Sequence, residues 1–209
     1  MAGPTFRSTG HRGATNSTIA FGFRAGKVKT PLGLFNDSQD VDSIFLWILL
    51  PQSCYPVDNK SFYLSHVGGE VYGNLALGRR GGELQYRGYA GQVYLDLTGG
   101  YLKESADHGL VFTSAPGGKV YGGDLRWQAP LKGLTLGSSA LVQAVDGKGP
   151  VGTDHVSPYF VSAEYAQFEK GKFYFAGEYR RSPLSVILTI GPAVIPIPLD
   201  NRSWFAMGS

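Results

Sequence analysis

The sequence contains one cysteine, Cys54, so the chain can form neither an internal disulfide nor a cysteine-based metal site. It also lacks an apolar run long enough to cross a membrane as a helix. Residues 44–50 are too few, and residues 186–199 are interrupted by one glycine and three prolines. These features argue against a helical membrane protein.

The excess of one sign of charge over the other is also small. The formal net charge of +3 is too small to indicate a nucleic-acid partner. The four histidines share no metal-ligand spacing, and the glycine-rich tracts match neither a phosphate-binding loop nor a dinucleotide fingerprint. We therefore predict that the chain is not an enzyme and has no catalytic residue, cofactor or metal site.

What the sequence does have is glycine, at 30 residues, and aromatic side chains, at 13%. Both suit β-sheets. The aromatic residues recur with a period of two: Phe173, Phe175 and Tyr179 alternate with Glu178 and Arg180. Such alternation predicts strands with one apolar and one polar face.

The same alternation divides the chain into about eight strands joined by connections that are alternately short and long. This spacing of strands and connections predicts an all-β, antiparallel fold. The predicted strands are residues 18–28, 69–77, 82–93, 118–128, 133–144, 158–168 and 172–181, with an eighth beginning near Arg202.

Alternation alone leaves the surroundings of each face open. In a soluble β-sandwich the apolar face is the core and the polar face meets water. In a membrane-spanning β-barrel the apolar face meets lipid and the polar face lines a channel. Both arrangements produce the same pattern of residues.

Three segments bear on this choice. Residues 26–37 read GKVKTPLGLFND, residues 49–53 read LLPQS and residues 69–73 read GEVYG. In this order, within residues 22–77, they resemble segments of Gram-negative outer-membrane porins. The resemblance implies a large antiparallel transmembrane β-barrel of about sixteen strands. It also implies outer-membrane lipid as surroundings, passive diffusion of small hydrophilic solutes or ions, and a possible homotrimer.

The sequence contains fewer predicted strands than a porin of about sixteen strands. Residues 1–17 form a polar N-terminal segment without the apolar core of a signal peptide, and residues 18–209 form the barrel domain. With about half of the strands of such a porin, we expect the barrel domain to be incomplete. Three alternatives stay open: a soluble β-sandwich binding module, an outer-membrane enzyme and a small structural barrel.

Within the porin interpretation, charged residues of the polar face are candidates for lining the channel. They are Arg24, Lys27, Lys29, Glu83, Arg87, Asp124, Arg126, Glu164, Glu178 and Arg180. They could form the transverse field of a constriction or a ladder of cross-strand ion pairs, and we favour the ladder for most of them. Because Lys27 and Lys29 are out of phase with Arg24, Gly26 is a candidate bend or bulge. The near balance of signs predicts weak ion selectivity.

One acidic cluster lies outside the strands. Asp37, Asp40 and Asp42 could bind a hard cation such as Ca²⁺ through flexible oxygen ligands. The spacing is not that of an EF-hand loop. We favour a solvated turn.

Overall fold

A computed structural model describes residues 19–37, 50–55, 64–94, 97, 100–107 and 111–209. The predicted N-terminal segment, residues 1–17, lies outside this part of the chain. The described strands are β1 Ile19–Lys29, β2 Ser65–Ala76, β3 Glu83–Val93, β4 Ser114–Gln128, β5 Leu134–Lys148, β6 Gly152–Lys170, β7 Phe173–Ile190 and β8 Ala193–Gly208. A short helix, α1, spans Gly100–Asp107 between β3 and β4.

Eight described strands form one antiparallel sheet in which each strand pairs with its neighbours in sequence, from β1 to β8. This arrangement confirms the predicted all-β, antiparallel fold. The two edges of the sheet are β1 and β8. Among the described residues, no helix is long and apolar enough to cross a membrane.

The two faces of the sheet differ in polarity, as the alternation predicts. One face, here called the open face, exposes large apolar side chains. Phe23 on β1 and Trp204 on β8 are 68% and 70% exposed. Further exposed residues of this face are Phe21, Val71, Leu125, Phe173, Phe175 and Tyr179.

The opposite face is here called the covered face, because residues 30–37 pack against it. These residues, here called the covering segment, follow β1 directly. Leu32 joins a buried cluster with Tyr89, Leu141 and Val161 on three strands. Phe35 stacks on Phe205, with ring centroids 6.0 Å apart. The core of the molecule therefore lies between the covering segment and the face that carries the charged residues.

The second half of the sheet corrects the predicted connections. Residues 145–157 lie between two predicted strands and are therefore expected to connect them, but β5 continues to Lys148 and β6 begins at Gly152. Their pairing runs on to Lys148 and Thr153 after a register shift beyond Gln143. Short and long connections therefore do not alternate strictly, since extended hairpins replace the later loops.

The proline-rich stretch after Arg181 lies between the seventh and eighth predicted strands and is likewise expected to connect them. Instead, β7 continues to Ile190 and β8 starts at Ala193, with pairing maintained along the whole hairpin. Proline cannot donate a backbone hydrogen bond to a neighbouring strand, but an edge strand tolerates it. Pro196 and Pro198 lie on β8, which is such an edge.

The expected bulge at Gly26 is absent from the pairing of β1 with β2. Gly26 has a φ of +126°, but the register runs through it without a shift. The register shifts instead lie between Ser114 and Gly117, between Gln143 and Val145, and between Val156 and Tyr159. Gly26 therefore changes the backbone conformation without changing which side chains share a face.

Candidate functional site

The charged residues of the covered face gather where the covering segment crosses the sheet. The backbone N–H of Gly33 donates to Ser139 Oγ on β5 at 2.7 Å. The backbone N–H of Leu34 donates to Glu178 Oε2 on β7 at 2.8 Å. In the other direction, Arg126 Nη2 on β4 donates to the carbonyl of Gly33 at 3.2 Å. Three strands thus hold two residues of the covering segment.

Gly33 is the residue that this close approach requires. Its φ is +73°, in the left-handed region that favours glycine. A Cβ atom at this position would lie 2.5 Å from Glu178 Oε1. The covering segment can therefore reach the carboxylate only because residue 33 has no side chain.

Tyr55 supports the same contact from the described residues before β2. Its hydroxyl donates to Glu178 Oε2 at 2.5 Å and accepts from the backbone N–H of Phe35 at 2.9 Å. Burial, reinforced by the negative charge of Glu178, raises the pKa of Tyr55 well above its ordinary value. The hydroxyl therefore stays protonated and serves as a donor to Glu178.

Glu178 is paired with a cation on its own strand. Arg180 Nη2 donates to Glu178 Oε1 at 2.9 Å. The Arg180 guanidinium also lies over the Tyr55 ring, 4.8 Å from its centroid. The side chains of Arg180 and Glu178 are only 6% and 0% exposed. This pair is a buried anchor for the covering segment.

A second group of charges lies on β3 and β4. Asp124 accepts from Arg126 Nε at 3.1 Å and from the Tyr165 hydroxyl at 2.5 Å. Arg87 Nη2 lies 2.5 Å from Asp37 Oδ2, and Arg126 Nη2 lies 3.8 Å from the same oxygen. Two guanidinium groups therefore share the carboxylate at the end of the covering segment.

A third pair lies at the β1 edge. Arg24 Nη2 donates to both carboxylate oxygens of Glu70, at 3.0 and 2.9 Å. The Glu70 side chain is fully buried, whereas that of Arg24 is 47% exposed and lies over the Tyr72 ring. A groove of about 570 Å³ opens beside this pair between β1, β2 and β3.

The structure brings most of the predicted channel residues to one face. By register, the covered face carries Arg24, Glu83, Arg87, Asp124, Arg126, Glu178 and Arg180. Glu83 lies near the β2–β3 turn, where it accepts from Asn74 Nδ2 at 2.9 Å. Two of their ion pairs, Arg24–Glu70 and Arg87–Asp124, cross between strands as in a ladder, whereas Arg126–Asp124 and Arg180–Glu178 each lie within one strand.

Three predicted residues do not share that face. Glu164 pairs with Ser138 and Tyr179, so it lies in phase with the aromatic residues of the open face. The bulges of β5 and β6 lie beyond this region and do not change that phase. Lys27 is exposed and in phase with Phe23. Lys29 has the same phase, but its ammonium donates to the Asp37 carbonyl at 2.8 Å.

Sequence reasoning missed several residues that hold the site together. Glu70 has the polar phase of β2 that the alternation predicts, but it is absent from the candidate channel residues. Asp37 lies in a turn, as expected, but its carboxylate contacts Arg87, whereas Asp40 and Asp42 lie outside the described residues. Gly33 and Tyr55 carry no periodic signal, because they lie outside the strands. Only the folded covering segment reveals them.

Over the described ranges, no group of three or more His, Cys, Asp or Glu side chains is placed to hold a metal ion. Comparisons with protein-family models, with curated proteins and with solved structures find no match for this chain. The function is therefore inferred from the geometry of the two faces.

Proposed function

We propose that this chain forms the wall of an outer-membrane β-barrel that lets small polar solutes or ions diffuse passively across the membrane. The observation that carries the proposal is the inverted polarity of the sheet. Its apolar face is exposed, while its charged face is covered by the chain's own backbone. Under this proposal the open face contacts lipid and the covered face lines the channel.

A soluble β-sandwich would bury the same side chains that this sheet exposes. Its core is built from apolar faces, and leaving several large aromatic side chains in water forgoes roughly 1.5–3 kcal/mol for each. In a bilayer the same side chains are favourable on the lipid side. The exposed aromatic residues of β1, β7 and β8 therefore support the membrane interpretation over the soluble one.

The length of the strands agrees with the proposal. A tilted strand needs about 9–11 residues to cross a bilayer. The shortest described strands, such as β1, have 11 residues, and β6 has 19. Every strand is therefore long enough to cross, and the longer ones would extend beyond the lipid.

The two edge strands of the sheet need hydrogen-bond partners in the proposed barrel. Backbone groups of β1 and β8 that face away from the sheet need partners in a bilayer, because lipid offers no hydrogen bonds. Closure of eight strands on themselves would give a lumen filled by side chains. Pairing with further strands would give a wider channel, consistent with the porin resemblance. A homotrimer in the outer membrane of a Gram-negative bacterium is part of this proposal.

The test is reconstitution of the full chain. We expect the protein to require detergent or lipid for a monodisperse state, and to give stepwise conductance in a planar bilayer. Trp204→Asp, on the open face, should reduce insertion into vesicles, because it places a charge in lipid. Arg79→Asp, in the exposed β2–β3 turn, is the matched control and should insert normally. A monodisperse monomer in plain buffer, with no conductance, would refute the proposal.

A further inference from the structure

The groove between β1, β2 and β3 carries two arginines and one glutamate in its wall, and it presents the cations to the solvent. Arg24, Arg87 and Glu70 contribute to its wall, together with the polar side chains of Tyr72 and Gln85. The Glu70 side chain is fully buried behind Arg24. A solute in the groove therefore meets guanidinium groups first.

The same layering continues along the covered face. Asp124 is 2% exposed, whereas the two guanidinium groups that contact it, on Arg87 and Arg126, are about ten times more exposed, at 20% and 19%. Asp37 is 27% exposed, but its carboxylate is shared by both of these arginines. The buried member is therefore the carboxylate for Glu70 and for Asp124, while Asp37, on the covering segment, contacts the two arginines from the opposite side.

Arg24 has the chemistry to bind an anion while keeping its internal partner. Both of its hydrogen bonds to Glu70 come from one nitrogen, Nη2. A guanidinium carries five N–H donors in a planar fork that matches carboxylate and phosphate oxygens. Arg24 is 47% exposed and lines the groove, so a solute in the groove can reach its guanidinium.

We propose that this groove is a binding site for small oxyanions, with a carboxylate or phosphate group, and that it makes the channel anion-selective. The inference deepens the proposed channel function and rests on it for the selectivity. This proposed anion selectivity differs from the weak ion selectivity that the near balance of charges predicts. Selectivity depends on which member of each ion pair faces the solute.

Reversal potentials of the full chain in planar bilayers, measured across a potassium chloride gradient, test the selectivity. We expect chloride to be preferred over potassium. Arg24→Gln should lower that preference about fivefold, since one charge at close range in water is equivalent to about 1 kcal/mol. Glu70→Gln should raise it. Arg79→Gln removes the same charge in the exposed turn and should leave the preference unchanged.

A second readout separates this inference from the channel proposal. Inorganic phosphate is titrated into the full chain in a sugar-based detergent, and the width of its phosphorus resonance is followed. Broadening with the wild type and with Arg79→Gln, and its loss with Arg24→Gln, is the expected result. Absence of conductance would refute the channel proposal, while this broadening would still support the anion site. A preference for potassium, or equal broadening with all three proteins, would overturn the anion site.

Discussion

Two ion pairs of identical chemistry lie at different places on the covered face. Arg24 and Glu70 join the edge strand β1 to β2, whereas Arg180 and Glu178 lie two residues apart on β7. Both carboxylates are fully buried. The arginines differ: that of the first pair is 47% exposed and that of the second is 6% exposed.

The difference comes from what lies above each pair. The covering segment and Tyr55 lie over this pair, and the Leu34 N–H and the Tyr55 hydroxyl donate hydrogen bonds to Glu178 Oε2. The groove beside Arg24 leaves that guanidinium open to solvent. The same pair of residue types is therefore an internal anchor on β7 and a solute-facing surface on β1.

Removing one carboxylate charge from each pair should reveal the difference between the two. We expect Glu178→Gln to lower the free energy of unfolding by about 3–5 kcal/mol, because it leaves a buried arginine uncompensated. Glu70→Gln is the matched variant and should cost about 1 kcal/mol, because water solvates Arg24. Urea unfolding in lipid vesicles, followed by tryptophan fluorescence, measures both. Equal losses would show that the two pairs are equivalent.

A smaller effect is expected when a methyl group is added under the anchor. Gly33→Ala should lower the free energy of unfolding by about 2–3 kcal/mol, because it combines a left-handed backbone with displacement of the Glu178 carboxylate. Gly78→Ala is the control: its φ is +80°, but no atom lies within 4 Å of the added Cβ. That variant should lose only about 1 kcal/mol. If both glycines give the same loss in the same unfolding assay, the anchor contact has no energetic role.

The smallest effect concerns the hydroxyl that bridges the anchor and the covering segment. Tyr55→Phe should cost about 1–2 kcal/mol at neutral pH, since two buried hydrogen bonds are lost. The pKa of Tyr55 is raised in the folded state, so its contribution is fully present below the ordinary tyrosine pKa of about 10. Above that pH the unfolded state gains stability by ionising.

The stability difference between wild type and Tyr55→Phe should therefore shrink as the pH rises above about 10. Unfolding titrations of both proteins between neutral and alkaline pH measure this difference. A difference that stays constant over the whole range would mean that Tyr55 is not buried against Glu178 in the folded protein.

The alternation of apolar and polar residues correctly predicted which side chains share a face of the sheet. The aromatic and charged residues of β1, β2, β3, β4 and β7 lie on the predicted faces, because a strand places successive side chains on opposite sides. It failed at residues 182–199, where glycine and proline suggested a loop. There the pairing of β7 with an edge strand overrides the local preference of proline.

The candidate site was predicted less completely than the fold. The charges predicted the covered face, but Glu164, predicted to share it, lies on the open face in phase with Tyr179. The contacts of Gly33 and Tyr55 depend on the path of a segment that has no period of its own. Which guanidinium faces solvent depends on that same path. No pattern within a strand contains this information.

The covering segment also constrains the order in which the molecule assembles. Neighbouring strands pair locally, but Gly33 bonds a residue 106 positions later and Leu34 bonds one 144 positions later. Contacts so distant in sequence carry a large loop-closure cost and form slowly. The covering segment, which follows β1, can therefore dock only after β7 has joined the sheet. Docking of an early part of the chain becomes the step that completes folding.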